Sequence, residues 1–185
     1  MLARLALIAG ALLAVACRDA PAPAAGPEFP ELTGRVVDGA DLLTPEQEAR
    51  LAAASARLER EAGPQYVVVT VPTLQGYSIE DYGLKLGRHW GVGNKARNDG
   101  LLLIVAPNER LVRIEVGTGL EKRITNPFAA QVISEQALPR FRESRFPEGI
   151  EAASEALMKR LLPPRPNKDG APASAAPAAA EKVPA

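Results

Sequence analysis

The chain is 185 residues long, with 22 basic and 22 acidic side chains, one His, one Cys and a pI near 6.6. That length suits one domain with appendages. Zero net charge argues against a nucleic-acid binder, which carries a basic face, and one Cys with one His excludes both a disulfide framework and a Cys/His zinc cluster.

Composition divides the chain into four parts: 1–17, 18–32, 33–162 and 163–185. The first, MLARLALIAGALLAVAC, has basic Arg4, an apolar run from Leu5 to Val15, and then Cys17. That run is too short to span a bilayer as a helix but fits the core of a secretory signal peptide. Ala14-Val15-Ala16-Cys17 resembles the lipobox of bacterial lipoproteins, in which Cys17 would be acylated and begin the mature protein. An ordinary cleaved signal with an incidental Cys is the other reading. Arg18, rather than Asp, follows the cysteine; by the same resemblance this implies a lipid-anchored protein on the periplasmic face of the outer membrane. Residues 18–32 hold four Pro and four Ala, and residues 163–185 hold six Pro and eight Ala. Such segments lack the bulky apolar groups that offset chain entropy, so we expect an extended Pro/Ala tether and a disordered Ala/Pro-rich tail.

Between them, residues 33–162 carry 17 basic and 17 acidic side chains and are long enough for one good core. Thr44, Pro45 and Gln47 spell a helix start with a capping box. Leu51, Leu58 and Ala62 share one face of that helix, and Gly63-Pro64 ends it. Tyr66–Val71 reads as a buried strand. Ser78 caps a second helix, in which Ile79, Tyr82, Leu86 and Trp90 recur at helical spacing. Leu101–Ala106 is a second buried strand, and Pro107-Asn108-Glu109 turns the chain into Leu111–Val116, whose Val112, Ile114 and Val116 alternate with Leu111, Arg113 and Glu115. A third helix is expected from Asn126-Pro127, burying Phe128, Val132 and Ile133 and ending before Pro139. The last runs from about Pro147, with Ile150, Ala153, Leu157 and Leu161 inward. Helices alternating with buried strands imply an α/β fold: a compact, Rossmann-like layered sandwich with a small central mixed β-sheet flanked by helices and one antiparallel hairpin. The unit 66–71, 78–90, 101–106 should be a right-handed parallel crossover.

This topology sets Asn98-Asp99-Gly100 beside Gly117-Thr118-Gly119-Leu120-Glu121 at one sheet edge. Carboxylates, an amide and glycine-exposed carbonyls suit a hard cation such as Ca²⁺, which takes about six to eight oxygens. The same residues also read, and from spacing alone read better, as a turn before a strand, with the glycines serving backbone geometry.

The core resembles the TPM domain, a family found in thylakoids, bacterial envelopes and an animal receptor modulator. The resemblance runs through Val36–Thr44 (VVDGADLLT), Trp90–Gly93, Asn98–Leu103, Arg113–Glu121 (RIEVGTGLE) and Ala137–Arg142. It implies a compact α/β sandwich; some members bind calcium, and thylakoid members are described as acid phosphatases. The acidic positions matching family motifs are Asp38, Asp99 and Glu121, so the implied metal set is Asp38, Asn98, Asp99 and Glu121. Thr118 stands where relatives often carry an aromatic, Lys122-Arg123 where small residues are common, and Gly39 where an acid is frequent. The added cations would weaken a cation site or attract an anion.

An acid phosphatase would use Asp99 or Glu121 with a cation, and Arg97, Lys122 or Arg123 as anion-binding contacts. No paired-aspartate signature, P-loop or GxSxG is present. Gly91-Val92-Gly93 follows a helix and precedes a strand, the reverse of a dinucleotide fingerprint. His89 reads as a surface residue, and Trp90 and Phe128 as core. Three functions follow: a Ca²⁺-binding accessory factor for a membrane or envelope assembly, a metal-assisted acid phosphatase, or a pure interaction module with a vestigial metal site. The expected partners are the membrane, through lipid on Cys17, and an envelope protein; no nucleic acid, nucleotide or organic cofactor is expected.

Overall fold

A computed structural model describes residues 26–163. Cys17, the signal segment and most of the tail lie outside the described residues. Four strands form one mixed sheet in the order β1 (Val36–Asp38), β2 (Gln65–Thr70), β3 (Gly100–Ala106) and β4 (Leu111–Val116). The first three are parallel and β4 returns antiparallel to β3. The helices are α1 (Pro45–Ala62), α2 (Ile79–Trp90), α3 (Asn126–Val132), α4 (Leu138–Arg142) and α5 (Phe146–Leu161), with a π-helical turn, Ile133–Ala137, joining α3 to α4.

The period-2 pattern of the central strands sorts the core into two layers. Tyr66, Val68, Leu101 and Leu103 face α1, α3 and α5. Val67, Val69, Leu102 and Ile104 face α2. Each central strand is therefore apolar on both faces, as a sandwiched parallel sheet requires. Gly83 and Gly87 let α2 lie close to the sheet: a Cβ at Gly83 would stand 2.8 Å from Ile104 Cδ1.

Strands β1, β2 and β3 step in one direction across the sheet, yet α1 and α2 cover opposite faces. The two crossovers therefore have opposite hands, so one departs from the right-handed rule. Both cannot follow the expectation set for the β2–α2–β3 unit.

The helical path that α3 opens does not stop before Pro139. Proline lacks an N–H and would break an α-helical ladder. Here the chain widens into the π turn, where Leu138 N–H donates to Ile133 O, and continues helically to Arg142. Nor does the folded part begin at residue 33. Phe29 packs edge-on against Tyr82 at 5.2 Å between ring centroids. Trp90 Nε1–H donates to Pro30 O at 3.0 Å, and Gln75 exchanges hydrogen bonds with the backbone of Glu28. Residues 27–30, expected to be tether, thus pack against α2 and the loop before it. A single aromatic supplied the apolar surface that the Pro/Ala composition concealed.

Candidate functional site

The expected juxtaposition at the start of β3 and the end of β4 is present. Gly119 N–H donates to Asn98 O at 2.9 Å and Gly117 N–H to Gly100 O at 2.8 Å. The two loops touch backbone to backbone. A Cβ on Gly119 would lie 1.9 Å from Arg97 O, and one on Gly117 would lie 2.3 Å from Asn98 O. Gly93, at φ +102°, holds a conformation that L side chains rarely adopt and sits against Gly100. The glycines serve this approach directly.

Asp99 lies in the centre of the edge, its side chain only 8% exposed. One carboxylate oxygen accepts from Asn94 N–H at 2.8 Å and the other from Arg97 Nε at 2.6 Å. Burial alone would raise its pKa, but these bonds outweigh burial and hold the carboxyl below the usual range. A wider polar chain anchors the same loop. Gly93 N–H donates to Gln65 Oε1 at 2.7 Å, Gln65 Nε2 donates to Glu59 at 3.0 Å, and Glu59 pairs with Arg35. The Gln65 hydrogen bond leads in holding Glu59 below its ordinary pKa. Asn94, Gln65, Glu59 and Arg35 were not singled out from sequence. Their only signal was polarity beside Gly-Pro and Gly-rich turns.

Asp38 does not join this edge. Register places it level with Thr70 and Val105, at the opposite end of the strands, about 20 Å along at ~3.3 Å per residue. There its carboxylate accepts from Thr70 Oγ1 and from Leu43 N–H, the latter at 2.7 Å, shaping the turn into α1. Asn98 has φ 48° and exposes its side chain. Glu121 and Lys122 are exposed and form no ion pair among the described residues. Arg97 is held by Asp99, while Arg123 donates to Leu161 O and so caps the end of α5. Arg123 lines a groove of 870 Å³ with Arg57, Lys159 and Arg160, each at the α1–α5 side. His89 stacks against Phe29 at 5.2 Å on the outside of α2.

A resident Ca²⁺ needs several unclaimed oxygens on one shell. Among the described residues no group of three His, Cys, Asp or Glu side chains is placed to hold a metal ion. Asp99 has both oxygens engaged, Asp38 is remote, and Asn98 and Glu121 remain. The arrangement does not fit a resident divalent cation without rearrangement. No helix among the described residues is long and apolar enough to cross a membrane.

A three-layered α/β sandwich with a glycine-lined, acid-clasped edge defines a class of fold before it defines a protein. The family model for the TPM domain matches residues 36–160, most of the chain, and the chain belongs to that family. The N-terminal domain of a P. gingivalis protein, solved by solution NMR, is 34% identical with a TM-score of 0.66, over 70% of this chain and 82% of that one. The N-terminal domain of a Corynebacterium glutamicum protein is 16% identical, TM-score 0.56, over 87% and 97%. The BA42 protein of the psychrophilic bacterium Bizionia argentinensis is 21% identical, TM-score 0.53, over 65% and 84%. These last two likenesses are of fold alone. No curated protein matches.

Proposed function

We propose that this TPM domain is a lipid-anchored accessory module of the bacterial envelope that acts by binding a protein partner rather than by hydrolysis. The observation that carries the reading is Asp99. Its carboxylate, central to both the cation and the phosphatase schemes, is spent on Asn94 N–H and Arg97 Nε. A carboxylate held in this way orders the loop surface, and to ligate a cation it would have to release Arg97 or share its remaining lone pairs. Anchoring rests on the apolar run ending at the chain's one cysteine, Cys17. Site-specific photo-crosslinking of the anchored chain in envelopes tests the module reading: the adducts should be the same with and without chelator. Adducts lost on chelation would remove it. Labelling with an alkyne fatty acid should disappear in Cys17→Ala, and label that persists there would exclude acylation at this residue.

The second reading is Ca²⁺ binding at the same edge. It is favoured by Arg97, whose side chain is 58% exposed and can leave Asp99 without opening the core, and by Glu121, exposed nearby in sequence to Gly119. Asp99, Asn98 and Glu121 would then supply the side-chain oxygens. Metal-assisted phosphatase activity would need that same rearrangement. Turnover of p-nitrophenyl phosphate that vanishes in Asp99→Asn would support it, and turnover that survives the substitution would assign it to a contaminant.

A further inference from the structure

Among the described residues the sheet has two free edges, and they differ. On one side β1 is three residues long; on the other β4 runs for six, with no proline, lysine or bulge to blunt it. The direction of its backbone groups follows from its neighbours. Gln65 N–H donates to Asp99 O and Val71 N–H to Val105 O, whereas Gly100 O accepts from Gly117 N–H. The odd-numbered residues of β3 therefore bond to β2 and the even-numbered ones to β4. With Leu102 opposite Glu115 and Ile104 opposite Arg113, Leu111, Arg113 and Glu115 spend their backbone groups inside the sheet. Val112, Ile114 and Val116 aim theirs outward, and no hydrogen bond among the described residues meets them.

The side chains on this edge complement themselves. Read antiparallel against itself about Ile114, the segment Val112-Arg113-Ile114-Glu115-Val116 sets valine against valine, isoleucine against isoleucine, and arginine against glutamate. The outward backbone groups fall on the register that such a pairing needs: Val112 with Val116, and Ile114 with Ile114. Two of the three exposed large apolar side chains among the described residues also stand at this rim. Leu111 is 41% exposed on the strand. Leu84, 40% exposed on α2, lines a groove with Glu115 and Val116.

We propose that β4 pairs antiparallel with β4 of a second copy of this chain, centred on Ile114, joining the two sheets into one. Arg113 then lies across from Glu115 of the second copy, twice by symmetry, and the two α2 helices meet at Leu84. Charge reversal tests this without unfolding the core, because both side chains are partly exposed. Arg113→Glu gives a chain with two acids on the edge, and Glu115→Arg a chain with two bases. Each alone would place like charges opposite one another.

The experiment is sedimentation equilibrium of the full chain in density-matched detergent. The wild-type chain should show a concentration-dependent dimer. Each single variant should weaken it by about tenfold or more, from two cross-strand pairs turned from attractive to repulsive. An equal mixture of the two variants should restore the dimer as a heterodimer, because acids then face bases. Mixing cannot repair the Arg113–Glu115 ion pair within one chain, so rescue separates pairing from a purely internal effect. Amide exchange at Val112, Ile114 and Val116 should slow as the dimer forms. A wild-type chain that stays monomeric at every concentration, variants that dimerise as well as wild type, or a mixture that remains monomeric would each overturn the proposal.

Discussion

Asp99→Asn separates a structural clasp from a ligand site, because the two assign opposite signs to its effect without metal. The substitution keeps the shape and one acceptor for Asn94 N–H, but removes the charge and turns an amide toward Arg97 Nε, donor against donor. A hydrogen bond to a charged group contributes about 1.5–3 kcal/mol net, against about 1 kcal/mol for a neutral one. The Arg97 pair adds only about 0.5–1 kcal/mol, since its guanidinium is largely in solvent. Together these predict a loss of about 2 kcal/mol, which for a domain of this size lowers Tm by roughly 6–10 °C. The assay is calorimetric unfolding of the chain in excess EDTA. Clustered carboxylates awaiting a cation repel one another, so neutralising one at an empty ligand site leaves stability unchanged or raises it. An Asp99→Asn Tm equal to or above wild type in EDTA would refute the clasp.

Four further outcomes follow from the structure. Gly119→Ala drives a Cβ into Arg97 O and should cost about 3 kcal/mol by urea unfolding, while Gly34→Ala, which meets nothing within 4 Å, should stay within about 0.5 kcal/mol. Asp99, Glu59 and Glu109 all have folded pKa values below their ordinary ones, Glu109 chiefly through Leu74 N–H. A lowered carboxylate pKa gives stability that is present above the unfolded pKa and lost as pH falls through the folded value, so stability should fall below about pH 4. Tyr66 runs the other way: burial raises its pKa, so its contribution is complete below about pH 10 and fades above it, and Tyr66→Phe should flatten that alkaline limb in denaturant titrations. Phe29→Ala should cost about 1–2 kcal/mol, and an unchanged Tm would return residues 27–30 to the tether.

Local chemistry carried much of the fold. Thr44 and Gln47 announced a capping box that the structure contains, and unbroken apolar runs marked strands buried on both faces. The meeting of Asn98 with Gly119 followed from one crossover and one hairpin. What escaped was short or non-local. β1 has three residues, too few for a period, and Asp38 finds its partner Thr70 far along the chain. The opposite hands of the crossovers leave no trace, because α1 and α2 each show a single apolar stripe whichever face they cover. Pro139 read as a stop because the π turn that absorbs it has no composition of its own. At the site, the acids were legible as residues but not as roles. Whether Asp99 waits for a cation or holds a loop depends on Arg97 two residues before it and on the N–H of Asn94.

Titration calorimetry of the chain with Ca²⁺ tests the central claim most directly. With Asp99 committed to Asn94 and Arg97, no saturable heat should develop up to millimolar Ca²⁺, and wild type and Asp99→Asn should give the same flat trace. A saturating isotherm for wild type that is abolished in Asp99→Asn would contradict the account and make the edge a calcium site.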